Sequence, residues 1–137
     1  MRLGTMLKDV AESFFKKPAT HLYPAEKIIT SDRFRSKLIY NPSACTGCSL
    51  CVKDCPSNAI ELITLDRAAK KFVLIYHVDR CIYCGQCSTN CKPKCMSMSN
   101  EDWELASQNK LAFEIFYGAD EDIDQFLAKR SQLDSGK

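Results

Sequence analysis

Two cysteine runs with the same spacing constrain this chain of 137 residues more than any other feature. The runs lie 36 positions apart and use eight of the nine cysteines. They are Cys45, Cys48, Cys51 and Cys55, and then Cys81, Cys84, Cys87 and Cys91. The spacing Cys-x2-Cys-x2-Cys-x3-Cys is the ligand pattern of proteins that hold two [4Fe–4S] clusters. The sequence therefore predicts two such clusters and a role in electron transfer.

The predicted ligand sets cross between the two runs. A loop with a cysteine at every third position can reach three iron corners of a cubane cluster, but the fourth corner faces away from it. In two-cluster ferredoxins the last cysteine of each run binds the other cluster. The first cluster is therefore expected on Cys45, Cys48, Cys51 and Cys91. The second cluster is expected on Cys81, Cys84, Cys87 and Cys55.

Zinc sites and disulfides are alternative uses of cysteine. Structural zinc usually takes two separate cysteine pairs, and two complete four-cysteine runs are a poor match to that pattern. Disulfides suit secreted proteins, whereas the first residues of this chain show no signal peptide. A zinc-stabilised interaction module remains the alternative from another functional class, and iron content would distinguish it.

The ninth cysteine tests the ligand assignment. Cys55 is followed directly by Pro56, as in bacterial ferredoxins, but Cys91 is not followed by proline. A shift of 36 positions places Cys95 on Ala59, just after the ligand run. We expect Cys95 to be a small packing residue, because free cysteine often behaves as a small hydrophobe. The alternative is that Cys95 replaces Cys91 as a ligand.

The repeat of 36 positions extends beyond the cysteines. Leu-Ile-Tyr occurs at 38–40 and again at 74–76, ahead of each run. The apolar pattern predicts strands at 59–62 and 71–76, and Pro56 predicts a short helix at 56–59. The predicted fold class is α+β, with a bacterial two-[4Fe–4S] ferredoxin-like core related by a pseudo-twofold repeat. An N-terminal amphipathic helix and a C-terminal docking extension are expected around it.

The first segment predicts an amphipathic helix over residues 3–16. Its apolar residues recur at helical spacing, and Pro18 ends the pattern. They are Leu3, Met6, Leu7, Val10, Phe14 and Phe15. We expect this stripe to contact a membrane surface or another subunit, because a two-cluster core needs no such addition. The alternative is that the stripe packs on the chain's own core.

The remaining residues suggest three parts. These are an amphipathic helix and docking arm at 1–37, a two-cluster domain at 38–99 and an acidic extension at 100–137. In the extension the pattern predicts a capped helical start at 100–105, a strand or apolar arm at 112–117 and an acidic-first helix from 120 to 127.

Charge and composition exclude several functions. The net charge is only +2, with eight basic and four acidic residues in 1–37 and four basic and nine acidic ones in 100–137. Nucleic-acid binding is not expected, because no concentrated basic patch is present. The sequence shows no catalytic constellation, and His21 and His77 lie outside the ligand runs.

Segments ahead of the first run narrow the choice of family. They are Phe-Lys-Lys-Pro-Ala-Thr at 15–20, Tyr-Pro at 23–24 and Arg-Phe-Arg at 33–35. The runs that follow them contain Cys-Thr-Gly-Cys at 45–48 and Arg-Cys-Ile-Tyr-Cys-Gly at 80–85. Over about residues 3–105 the chain resembles the two-[4Fe–4S] subunit of complex I. It also resembles the corresponding two-[4Fe–4S] subunits of membrane-bound energy-converting hydrogenases and sulfane sulfur reductases.

The resemblance implies a non-catalytic electron-transfer subunit in the cytoplasmic peripheral arm of a membrane-bound oxidoreductase complex. It also implies peripheral membrane contact through residues 3–16, and a partner catalytic subunit of the NiFe-hydrogenase-like or complex I-like type. Ser36 after Arg35, where complex I has glycine, and the missing second Cys-Pro favour the hydrogenase or sulfane reductase branch. A free soluble ferredoxin is the alternative, but it leaves both extensions unexplained.

Overall fold

The structure is a computed structural model that describes residues 4–101 and 106–134. Its helices are α1 (Leu7–Phe15), α2 (Leu50–Lys53), α3 (Gln86–Thr89) and α4 (Asp120–Asp134). Its strands are β1 (Leu38–Tyr40), β2 (Ile60–Asp66), β3 (Lys71–His77), β4 (Met96–Met98) and β5 (Glu114–Tyr117). Short 3-10 turns cover Pro42–Ala44 and Lys110–Phe113. Most of the helical start predicted at 100–105 lies outside the described residues, as does Leu3.

Two antiparallel sheets repeat the same strand pairing. β1 pairs with β4, and β2 pairs with β3. Leu38 lies opposite Met98 in the first pair, and Leu74 lies opposite Leu62 in the second. A shift of 36 positions converts one pairing into the other. The predicted pseudo-twofold repeat is therefore present in the backbone register as well as in the sequence.

β3 is the central strand of the larger sheet, and six of its seven residues are buried. Successive side chains of a strand point to opposite faces. Phe72, Leu74 and Tyr76 accordingly join the main core between the two sheets. The other face is covered by α4. A Cβ added to Gly118, just before α4, would lie 3.6 Å from Val73 in β3 and 3.5 Å from Ile123 in α4.

The C-terminal segment is part of this core, which the sequence does not predict. β5 pairs with the second edge of β3 over Leu74–His77 and covers this part of the edge. The Tyr117 hydroxyl donates to the Leu38 carbonyl at 2.5 Å and thereby joins the two sheets. Lys71 and Asp122 form an ion pair of 3.3 Å that ties α4 to the sheet. The strand predicted within 112–117 and the acidic-first helix are confirmed, whereas the three-part division of the chain remains a prediction.

The N-terminal helix is confirmed and is shorter than predicted. α1 has no buried residue, and its apolar side chains are exposed. After Lys16 the chain runs without helix or strand to β1, where the N–H of Ser36 donates to the Ser99 carbonyl at 2.8 Å. Within the described ranges, no helix has the length and apolar composition needed to cross a bilayer.

The helix predicted at Pro56 is wrong. The chain makes a turn after Pro56, and Asn58 has a left-handed φ of +49°. A right-handed helix cannot continue through such a residue. Lys94, which lies 36 positions later, has a φ of +51°, so both halves use the same turn after the last cysteine.

Candidate metal centre

The structure encloses two cavities that are lined by cysteines. The first has about 310 Å³ of empty space and is lined by Cys45, Cys48, Cys51, Cys91 and Cys95. The second has about 350 Å³ and is lined by Cys55, Cys81, Cys84 and Cys87. Each cavity thus takes three cysteines from one run and the last cysteine of the other. This is the crossed grouping that the sequence predicts, with Cys95 added to the first cavity.

Left-handed residues fold each cysteine run around its cavity. Gly47 and Tyr83 are equivalent positions with φ of +68° and +53°. Their N–H groups donate to the sulfurs of Cys45 and Cys81, at 3.4 Å in both loops. Amides that point at the ligand sulfurs are a normal means of stabilising an iron–sulfur cluster.

A second pair of left-handed residues starts the short helices. Ser49 precedes α2 and Gly85 precedes α3, with φ of +58° and +76°. These positions are also 36 apart. The turn places the third cysteine of each run on a helix that faces the cavity. Gly85 suits this conformation at no cost, whereas Ser49 adopts it with some strain.

Two tyrosines place hydroxyl groups that lack a hydrogen-bond partner in the described part of the chain beside the cavities. Tyr40 lines the first cavity and Tyr76 lines the second. Both hydroxyl oxygens are buried and have no hydrogen-bond partner among the described residues. Burial raises the pKa of each phenol far above its ordinary value, and the thiols of Cys45 and Cys81 add to the shift. Each tyrosine is therefore a neutral donor next to a cysteine that needs to be a thiolate for metal binding.

The buried donors fit clusters in both cavities. An unsatisfied buried hydroxyl is costly, and cysteine thiolates or inorganic sulfides would accept its hydrogen bond. Burial also raises the pKa of Cys51 and of Cys87 to about 11. These thiols are protonated at neutral pH without metal, so metal binding must release their protons. The donor set and the polar surroundings match thiolate-bound clusters.

Cys55 has a different environment from the other buried ligands. Burial opposes ionisation of its thiol, but N–H donors outweigh this effect and lower its pKa. One of them is the N–H of Ala59, at 3.2 Å from the Cys55 sulfur. The second cavity therefore provides its remote cysteine with an environment that favours the thiolate.

The cysteines are not arranged for single ions or disulfides. All nine are free, and all lie in the described part of the chain. Within that part, no three His, Cys, Asp or Glu side chains come close enough to hold one metal ion. The sulfurs surround a space instead of converging on a point, which favours a multi-atom cluster over zinc.

Arg35 is a neighbour of the second cavity that the sequence does not assign. Its Nη1 donates to the Cys84 carbonyl at 2.6 Å. The same guanidinium passes over Gly85, where an added Cβ would lie 3.2 Å from Arg35 Nε. The only signal in the sequence is the Arg-Phe-Arg segment, which carries no metal-binding pattern. His77, in contrast, lies beside Glu61 and Glu114, at 3.1 Å and 3.9 Å, and lines neither cysteine cavity.

Comparison with known proteins identifies the domain. The sequence pattern of a 4Fe-4S dicluster domain matches residues 44–95, a stretch that includes all nine cysteines. This match confirms the predicted cofactors, two [4Fe–4S] clusters.

Two curated relatives are subunits of quinone oxidoreductases. NAD(P)H-quinone oxidoreductase subunit I of Gloeobacter violaceus is 34% identical over 108 residues, which cover 76% of this chain and 51% of the relative. NADH-quinone oxidoreductase subunit I 2 of Geobacter metallireducens is 32% identical over 120 residues, which cover 82% of this chain and 91% of the relative. This chain therefore spans about half the length of the first relative and most of the second.

A solved structure shares the fold. It is a chain of the membrane-bound sulfane sulfur reductase, an archaeal respiratory membrane complex, and it matches with a TM-score of 0.63 at 24% identity. The match covers 84% of this chain and 62% of the other. It confirms the predicted ferredoxin-like α+β fold.

Proposed function

The chain belongs to the family of NADH-quinone oxidoreductase subunit I, and from this we propose that it is the electron-transfer subunit of a membrane-bound oxidoreductase complex. The observation that carries the proposal is the pair of cavities, each lined by cysteines from both runs. Two clusters in one small rigid domain form a relay and do not themselves transform a substrate. The chemistry then belongs to neighbouring subunits.

We assign the ligands according to the lining of the cavities. The first cluster is held by Cys45, Cys48, Cys51 and Cys91. The second is held by Cys81, Cys84, Cys87 and Cys55. Cys48 and Cys84 are equivalent in the repeat, and both are exposed. Each cluster site therefore reaches the protein surface, which gives electrons one place to enter and another to leave.

Iron content and single substitutions test this assignment. The purified chain is expected to contain about eight irons, four for each cluster, and to show a paramagnetic signal on reduction. Cys48→Ser and Cys84→Ser should each remove or alter one cluster and leave the other intact. A protein that contained stoichiometric zinc and no iron would contradict the proposal in favour of an interaction module.

The exposed face of α1 supports contact with a membrane surface or a neighbouring subunit. Val10, Phe14 and Phe15 are 62%, 85% and 86% exposed, although they are apolar. Lys8 and Lys16 lie within 4.0 Å and 3.5 Å of Glu12 on the polar side. Such a helix can lie in the plane of a membrane interface with its apolar face inserted. We propose that residues 3–16 attach the chain peripherally at the cytoplasmic side of the membrane.

Substitutions on the two faces of α1 test the attachment. The protein is expected to sediment with anionic lipid vesicles or with native membranes. Phe14→Glu should weaken this association strongly, whereas Glu12→Gln on the polar face should not. A free ferredoxin would stay in the supernatant in all three forms, and this result would contradict the attachment while leaving the cluster assignment untouched.

The partner is expected to be a catalytic subunit of the NiFe-hydrogenase-like or complex I-like type. The resemblance of residues 15–35 to complex I relatives supports this, as does the exposed apolar side chain of Ile29, which is 95% exposed in the irregular segment before β1. Purification from native membranes in mild detergent would identify the partner. Recovery of nickel with the complex would indicate a hydrogenase, and its absence would indicate another acceptor.

A further inference from the structure

The side chain of Cys95 is in contact with Cys91, a predicted ligand of the first cluster. Its sulfur is 3.3 Å from the sulfur of Cys91. It is buried, and it lines the same cavity as the four proposed ligands of the first cluster. The first cavity therefore contains five cysteines where a cluster needs four.

The backbone fixes Cys95 in this place. The turn that follows the last cysteine brings the fourth residue after it back against the ligand sulfur in both halves. In the second cavity this residue is Ala59, whose N–H lies 3.2 Å from the Cys55 sulfur. The Ala59 carbonyl accepts the N–H of His77 in β3, and the Cys95 carbonyl accepts the N–H of Asn41, directly after β1, both at 2.8 Å. The two sites are thus equivalent, and one carries a thiol where the other carries a methyl group.

We propose that Cys95 is a reserve ligand of the first cluster, able to take the remote position that Cys91 occupies. The proposal rests on the ligand assignment made above. In the exchange the iron–sulfur bond to Cys91 breaks, and a bond to the Cys95 sulfur forms. The Cys95 thiol proton would pass to the released Cys91 thiolate or, in a protein that lacks Cys91, to solvent. No electron is transferred, and the oxidation state of the cluster does not change.

The repeat explains why Cys91 is the resting ligand. Cys91 is equivalent in the repeat to Cys55, the last cysteine of the other run, whereas Cys95 is equivalent to Ala59. Cys95 is also more deeply buried than Cys91, which is half-buried. Cys95 therefore takes the remote position only when Cys91 is absent or displaced.

Matched substitutions in the two halves test the reserve role. Cys91→Ala is expected to keep the wild-type iron content of about eight per chain. Cys55→Ala is expected to lose iron from the second cluster, because the second cavity holds no fifth cysteine. The double variant Cys91→Ala with Cys95→Ala should lose iron from the first cluster, whereas Cys95→Ala alone should not. Iron and sulfide analysis and EPR of the reduced protein measure these outcomes.

A rescue experiment makes the test independent of folding defects. Adding Ala59→Cys to the Cys55→Ala variant places a thiol at the position equivalent to Cys95 and should restore the lost iron. Loss of the first cluster in Cys91→Ala to the same extent as the second in Cys55→Ala would overturn the proposal. So would loss of iron in Cys95→Ala alone, because Cys95 would then be the resting ligand. Failure of the proposed function is separate, since it would show as missing iron in the wild-type protein.

Discussion

Asp54 and Asn90 are equivalent residues of the two halves, and they are hydrogen-bonded to each other. The Asn90 Nδ2 donates to the Asp54 Oδ2 at 2.7 Å, and the positions are 36 apart. A residue can contact its own equivalent only near the axis that relates the two halves. The pair therefore marks the pseudo-twofold axis, where α2 and α3 pack together. The hydrogen bond is possible because the two equivalent positions carry different side chains: Asp54 supplies an acceptor and Asn90 a donor.

Replacing Asn90 by aspartate, so that both positions of the pair carry a carboxylate, should weaken the contact between the two halves. Asn90→Asp places two carboxylates at a hydrogen-bond distance in a half-buried site, which removes the donor and adds repulsion. Loss of a hydrogen bond to a charged group costs about 1.5–3 kcal/mol. We expect the melting temperature of the cluster-loaded protein to fall and cluster release to a chelator to accelerate. Exchanging the two residues, as Asp54→Asn with Asn90→Asp, should restore most of the loss.

The sequence predicts the features that follow from the spacing of residues along the chain. The cysteine runs determine which sulfurs share a cavity, and the repeat predicts that β1–β4 and β2–β3 have the same register. Both follow from positions along the chain and need no knowledge of packing. The crossed lining of the two cavities is the result, with Cys55 beside the second run and Cys91 beside the first.

Features that depend on packing are not predictable from the same pattern. The pairing of β5 with β3 depends on which segment covers a free strand edge, and an acidic tail gives no signal for that choice. The turn after Pro56 depends on the left-handed Asn58, because proline alone is equally compatible with a helix start. The contact of Cys95 with Cys91 depends on the geometry of the turn after Cys91, which the spacing does not reveal. The sequence therefore favours a packing role for Cys95, although the two sulfurs lie only 3.3 Å apart.

The orphaned hydroxyls of Tyr40 and Tyr76 should raise the potentials of the two clusters. Hydrogen bonds to ligand or cluster sulfurs stabilise the more negative, reduced state. Tyr40→Phe should therefore lower the midpoint potential of the first cluster, and Tyr76→Phe that of the second, each by roughly 10–50 mV. EPR-monitored redox titration measures both. Each variant is the control for the other, and equal shifts of both clusters in either variant would contradict a local hydrogen bond.

The Arg35 guanidinium should make the second cluster easier to reduce. It donates to the Cys84 carbonyl at 2.6 Å, and a nearby positive charge stabilises added negative charge. Because Arg35 is exposed, water and salt reduce the effect. Arg35→Met should lower the midpoint potential of the second cluster by roughly 20–60 mV, a shift that decreases at high ionic strength. Arg33→Met is the control, and a shift of the same size in that variant would indicate only a general charge effect.

Gly47 should tolerate no side chain, although its equivalent in the other half does. A Cβ on Gly47 would lie 2.4 Å from the ring of buried Phe72, and its φ of +68° is left-handed. The conformation alone is acceptable, because Tyr83 has a φ of +53° at the equivalent position. The clash with Phe72 is therefore the main cost, and Gly47→Ala should reduce the yield of protein with a full first cluster.

Ser49 provides the matched control for Gly47 in the same loop. Ser49 has a φ of +58° where the other half has Gly85, so Ser49→Gly should relieve strain and stabilise the protein by about 0.5–1 kcal/mol. Thermal melting of the cluster-loaded protein and the rate of iron release to a chelator compare the two variants. If Gly47→Asn, which readily adopts a left-handed φ, behaves like the wild type, then the contact with Phe72 is not limiting. If it behaves like Gly47→Ala, the close approach of the loop to Phe72 is what holds the first cysteine run in place.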